Sequence, residues 1–216
     1  MPIRLLAIVL AALCAAIAAA QTSPPEAPSP ASTPAPTPWA YTFSVSGYLV
    51  AHGPSYASPT FTADHNWTHL EARYNYEALR TASLWIGYDY SVGKTLTLEA
   101  TPMIGGVFGD VDGIAPGLEF TLTYKKLQLY SANEYIFDTN TKSGDFFYTW
   151  TQLTYSPRPW IQAGYAMQRT RVYHTSLDVQ RGILVGFTHK KFNFSTTIFN
   201  FGWTDPTFIL SLTYSF

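Results

Sequence analysis

The chain has 216 residues, of which 16% are aromatic and only 12% charged, with a formal net charge of −1. Soluble domains carry about 25% charged residues, so an ordinary water-soluble globule is disfavoured, and the lack of a basic excess argues against nucleic acid as a partner. Mean hydropathy is zero and no long apolar run follows the first twenty residues, which excludes a bundle of membrane-spanning helices.

Residues 1–20 read as a cleaved signal peptide. Arg4 supplies the positive start, Leu5 to Ile17 the apolar stretch, and Ala18-Ala19-Ala20 the small-residue cleavage site. The apolar stretch is too short for a good membrane span. Cys14, the sole cysteine, falls inside this leader, and Leu13 before it does not fit a lipid-attachment site. The mature chain is therefore expected to have no thiol and no disulfide. Residues 21–38 are Pro, Ser, Thr and Ala with Glu26 as the only charge. Such a composition cannot bury a core and reads as a disordered linker.

From Trp39 to Phe216 the dominant signal is alternation with period two, the signature of half-buried strands. The first run is about Tyr41 to Ala51, broken by Gly53-Pro54. About Asn66 to Glu77, Thr68, Leu70, Ala72, Tyr74 and Tyr76 oppose His69, Glu71 and Arg73. About Ala82 to Ser91, Leu84, Ile86, Tyr88 and Tyr90 oppose Trp85, Gly87 and Asp89. From Thr95, Leu96, Leu98 and Ala100 oppose Thr97, Glu99 and Thr101. After a Gly109 to Gly113 loop, Leu118, Phe120, Leu122 and Tyr124 oppose Gly117, Glu119, Thr121 and Thr123. Lys125-Lys126 turns the chain into a strand carrying Glu134 against Tyr135 and Phe137. A polar loop, Thr139 to Asp145, precedes a strand over Phe146 to Tyr155.

Ser156 to Pro159 then closes a hairpin onto a strand from Trp160 that sets Ile161, Ala163, Tyr165 and Met167 against Gln162, Gly164, Ala166 and Gln168. Strands over about Asp178 to His189 and Phe192 to Phe201 follow. In the last nine residues Phe208, Leu210, Leu212, Tyr214 and Phe216 form one row, and Ile209, Ser211, Thr213 and Ser215 the other.

That terminal row resembles the C-terminal assembly signal of bacterial outer-membrane β-barrel proteins, in which a final aromatic is read by the barrel-insertion machinery. The resemblance implies an all-β fold, a transmembrane antiparallel up-and-down β-barrel in the bacterial outer membrane, with the 21–38 linker in the periplasm. An up-and-down barrel of this class has an even number of strands and short periplasmic turns. Working back from Phe216, Lys190-Lys191, Ser156 to Pro159, Lys125-Lys126 and Val92 to Lys94 become the periplasmic turns. Eleven alternating runs are visible, so parity calls for another strand inside about Tyr56 to Ala63. The expectation is twelve strands, with ten as the alternative if the first two segments are loop or plug.

If the apolar rows face lipid, the opposite rows line the lumen: His69, Glu71, Arg73, Asp89, Glu99, Glu119, Glu134, Gln152, Gln162 and Gln168. Ionisable side chains are costly on the lipid face and can be paired or hydrated inside. The expected function is a small passive pore or a structural barrel with a charged, partly salt-bridged lumen that would prefer cations. Its partners would be outer-membrane lipids and lipopolysaccharide, the insertion machinery during assembly, and small solutes or ions. Arg169, Arg171 and Arg181 flank an outer loop and could meet lipopolysaccharide phosphates. No cofactor and no metal are called for, because the spacing supplies no complete ligand set.

The alternatives are a surface-binding barrel or a lipid hydrolase. His174-Thr175-Ser176 is similar to the His and Ser two apart in outer-membrane phospholipase A and the lipid A deacylases, where the His acts as base for the Ser. Here Leu177 and Asp178 follow, without the polar context of those families, and no orienting third residue is evident.

Overall fold

The computed structural model describes residues 38–140, 144–172, 178–202 and 206–216. The expected signal peptide, the linker up to residue 37, and His174 and Ser176 lie outside these residues. The described residues form thirteen strand segments: β1 (Ala40–Val50), β2 (Tyr56–His65), β3 (Thr68–Tyr74), β4 (Thr81–Tyr88), β5 (Tyr90–Gly93), β6 (Leu96–Gly109), β7 (Gly113–Tyr124), β8 (Leu127–Asp138), β9 (Phe146–Arg158), β10 (Ile161–Val172), β11 (Asp178–His189), β12 (Phe192–Phe199) and β13 (Thr207–Ser215). Only Asp89 separates β4 from β5, and both pair antiparallel with β6. They are halves of one stave, so the barrel has twelve.

Each stave pairs with its sequence neighbours, and β13 pairs with β1 from Thr42↔Ser215 to Val50↔Thr207. Closure leaves no free edge to aggregate. The Phe216 backbone extends the seam, donating its N–H to the Tyr41 carbonyl at 2.9 Å and accepting the Tyr41 N–H at 3.1 Å. The strand expected inside Tyr56 to Ala63 is β2. Its Pro59 pairs with Val45 of β1, while the β2–β3 ladder begins only at Thr60↔Arg73. A proline is tolerated at that end of a ladder, where a missing N–H interrupts little.

The alternation resolves into an apolar outside and a mixed inside. Leu84, Ile86, Ile104, Leu153, Ile183, Val185, Phe194 and Leu210 are exposed on the outer wall. Apolar exposure this continuous marks a surface that meets something other than water. Inside, at the end bearing the longer loops, two apolar clusters pack against the barrel wall. Trp85, Met103, Val107, Ala115, Ile136, Phe146 and Tyr148 form one, and Ala166, Phe199 and Ile209 the other. Trp150 packs on both and meets the Phe199 ring edge-on at 5.3 Å.

Inward glycines create the space for this packing. A Cβ on Gly105 would stand 2.4 Å from the Trp85 ring, and one on Gly117 2.9 Å from it. The indole therefore lies across the bare backbones of β6 and β7. One expectation is corrected. Tyr76 continues the outward row of Tyr74 in the sequence, but β3 ends at Tyr74 and Asn75 adopts φ 55°. That left-handed residue turns the chain inward, so Tyr76 packs on the core, 5.6 Å from the Tyr148 ring.

Candidate functional site

Arg73 is the hub of the interior. It sits on β3, 4% exposed, where the inward row His69, Glu71, Arg73 is brought against β7 and β8. Its Nη1 donates to Glu134 Oε2 at 2.8 Å, and its Nη2 donates to Glu71 Oε2 at 2.8 Å and Glu119 Oε1 at 2.9 Å. Glu77 Oε1 stands 3.6 Å from Nη1. The guanidinium also lies over the rings of Tyr76 and Trp85, at 4.4 and 4.7 Å from their centroids. A planar fork with five donors can bridge three carboxylates and stack on aromatic faces, which a lysine cannot.

The cluster carries more acid than base. Glu71, Glu77, Glu119 and Glu134 surround a single guanidinium, and Glu77 Oε2 and Glu134 Oε1 are buried without a hydrogen-bond donor. Glu77 is further tied to the aromatic packing: Ser83 Oγ donates to its Oε1 at 2.6 Å, and Trp85 Nε1 donates to Ser83 Oγ at 2.9 Å. Glu77 was absent from the expected lumen residues. The period-two row of His69, Glu71 and Arg73 reaches it two steps later, but through the Asn75 turn, where strand alternation no longer predicts direction.

Toward the short-turn end the charge opens into a cavity of about 420 Å³, lined in part by Asp64, His69, Asp89, Glu99, Glu119 and Tyr130. His69 bridges the two zones, with Nδ1 at 2.6 Å from Asp64 and Nε2 at 3.5 Å from Glu71. Asp89 accepts from Thr101 Oγ1 at 2.7 Å. Asp64, His69 and Asp89 place donor atoms within 4.8 Å of one another, the group among the described residues most suited to a metal ion. The short His69–Asp64 contact already occupies one of those donors.

The opposite wall is neutral. Ser46 and Ser211 hydroxyls meet at 2.8 Å across the β1–β13 seam, and Thr197 and Ser58 are inward and buried. Gln162 covers the backbone of Gly186 on β10–β11. Gln152 and Gln168 occupy the inward rows of β9 and β10, with Gln152 paired to Ala166 and Gln168 to Trp150. Of the residues expected to line the interior, His69, Glu71, Arg73, Glu119 and Glu134 thus form one cluster. Asp89 and Glu99 join it through the cavity, and the three glutamines stand apart on the neutral side.

Fold and interior together define the class: a closed antiparallel β-barrel of twelve staves, apolar outside and charged on one side within. Solved structures similar to it include the KdgM porin (TM-score 0.59, 13% identity, 81% of this chain and 99% of that chain covered). The KdgM porin in complex with disordered oligogalacturonate gives a TM-score of 0.58 at 12% identity, covering 81% and 99%. The NanC porin in a rhombohedral crystal form gives 0.56 at 8% identity, covering 80% and 98%. At such identities the likeness is one of fold. No protein-family model and no curated protein sequence matches the chain.

Proposed function

We propose that the protein is a small pore of the bacterial outer membrane whose water path favours cations and small neutral solutes over anions. The observation that carries this is the inward charge. Asp64, Glu71, Glu77, Asp89, Glu99, Glu119 and Glu134 face Arg73 and His69 inside a closed barrel with an apolar outer wall. Rings of carboxylates favour cation entry. The KdgM porin was solved with oligogalacturonate, a polyanion; an interior of acidic excess is a poor host for such a solute. Lipids and lipopolysaccharide would surround the apolar wall, and solutes would pass between the hydroxyl-lined side and the acidic cavity of Asp64, Asp89, Glu99 and Glu119.

In planar bilayers under a salt gradient, the reversal potential should show cation preference. Glu99→Gln with Glu119→Gln should move it toward zero while the barrel remains folded. An anion-selective channel, or no channel over a range of salts, would reject the pore.

The terminal aromatic row would serve assembly. Tyr214 and Phe216 stack at 5.4 Å, and Phe216 stacks on Tyr41 at 5.5 Å across the seam. Deleting Phe216 removes the last rung and the exposed aromatic end together. Far less folded, heat-modifiable protein should reach the outer-membrane fraction, with precursor levels unchanged. Equal yields would show that the row is structural only.

A further inference from the structure

The apolar outer wall is interrupted across β8 to β11. Register sets Ser131 beside Thr151, Thr151 beside Met167, and Met167 beside Arg181. The next rung runs Asn133, Thr149, Arg169, Val179. The intervening positions Ala132, Tyr148 and Ala166 are buried inside the barrel, so by alternation these rungs point outward. Flanking outward residues on the same strands, Leu153, Tyr155, Ile183 and Val185, are all apolar or aromatic and exposed.

The inner part of this stripe satisfies itself. Thr149 Oγ1 donates to Asn133 Oδ1 at 2.7 Å, the Ser131 and Thr151 hydroxyls meet at 3.0 Å, and Asn133 Nδ2 donates to the Leu118 carbonyl at 3.2 Å. The two arginines do not. Among the described residues neither Arg169 nor Arg181 takes part in an ion pair, and no carboxylate shares the two outward rungs. Arg181 lies near the long-loop rim, since its carbonyl accepts from the N–H of Asn200, the residue directly after β12, at 2.9 Å. Arg169 is two residues nearer that rim in the β10–β11 register. The pair are diagonal neighbours, about 7–8 Å apart along the sheet, close enough for two guanidinium forks to close on one phosphate. Outward arginine is expensive at the membrane midplane and cheap at the interface, which is where an anionic headgroup lies.

We propose that Arg169 and Arg181 clamp the phosphate of an outer-leaflet lipid headgroup, such as the phosphorylated lipid A part of lipopolysaccharide. Beside them on the same rungs, the half-buried Asn133 and Thr151 meet the polar junction between that headgroup and its acyl chains, with Ser131 and Thr149 buried beneath as their hydrogen-bond partners. This rests on the membrane reading above, but not on the lumen being open.

The test is native mass spectrometry of the folded full chain in detergent, titrated with bis-phosphorylated lipid A or with dephosphorylated lipid A. The native chain should retain the phosphorylated lipid and lose the dephosphorylated one. Arg169→Gln with Arg181→Gln should weaken retention by about tenfold or more, the scale of one lost charged hydrogen bond. Arg169→Lys with Arg181→Lys, which keeps the charge, should retain an intermediate amount. Lys190→Gln with Lys191→Gln, at the short-turn rim, should change nothing. Equal retention of both lipids, or equal loss in the Lys190/Lys191 variant, would overturn the clamp. So would displacement by inorganic phosphate alone, which would reassign the pair to free anion. A chain that forms no folded barrel in detergent fails the membrane reading instead, a different result.

Discussion

Arg73→Ala is expected to lower the stability of the folded barrel by about 3–5 kcal/mol, the cost of removing one partner from a buried ionic network. The reason is geometric. A single guanidinium answers Glu71, Glu119 and Glu134 at 2.8 to 2.9 Å and is held between the rings of Tyr76 and Trp85. Without it, four carboxyls remain in an interior where Glu77 Oε2 and Glu134 Oε1 already lack a donor, and the aromatic packing above loses its cation. Arg73→Lys keeps the charge but cannot bridge three carboxylates, so it should fall between. Adding Glu71→Gln and Glu134→Gln to Arg73→Ala should recover most of the loss. The checks are denaturant titration in lipid vesicles and the temperature at which the compact band shifts on gels. An Arg73→Ala barrel as stable as the native chain would mean that water replaces the guanidinium and that the cluster is not a structural hub.

The second large effect is on permeation. Trp150 joins the two apolar clusters and packs edge-on against Phe199, so the pair spans the interior from β9 to β12. Truncating both, Trp150→Ala with Phe199→Ala, should raise single-channel conductance several-fold, since the long-loop half would lose the rings that join its two apolar clusters. Truncating the buried Phe199 costs about 3–5 kcal/mol and truncating the half-buried Trp150 adds to it, so Trp150→Leu with Phe199→Leu provides a variant that fills more of the space and folds more readily. It should conduct at an intermediate level. Leu84→Ala, on the outer wall, should leave conductance unchanged. If the double alanine variant folds and conducts as the native chain does, these rings do not stand in the solute path.

Both expectations depend on contacts between residues far apart in sequence, Arg73 with Glu134 and Trp150 with Phe199. The neighbouring row was more legible. Period-two spacing puts His69, Glu71 and Arg73 on one face, and a charged face in an otherwise apolar, aromatic-rich strand has to point inward. The same spacing places Asp89, Glu99, Glu119 and Glu134 on inward rows. It says nothing of how far round the barrel each row lies. Asp64 and Glu77 escaped notice for local reasons: Asp64 lies near the end of β2, the strand that only parity called for, and Glu77 lies beyond a left-handed asparagine, where alternation stops.

Alternation is a property of each strand by itself, so the amino-acid sequence alone showed a succession of half-buried strands, and the resemblance of its terminal row to outer-membrane barrels implied that they close into an antiparallel barrel. The sequence also determined roughly where each strand runs, which row faces in, and, through parity counted back from Phe216, that a strand had to lie near Tyr56 to Ala63. Height and azimuth inside a barrel are set by strand tilt and by register accumulated from stave to stave, and no single strand encodes those sums. Only the tertiary structure decided that the acids converge on Arg73 along one side, that hydroxyls line the other, and that Tyr76 turns inward. It alone brought the clusters joined by Trp150 across the long-loop half, and it alone set Arg169 beside Arg181 on the outer wall.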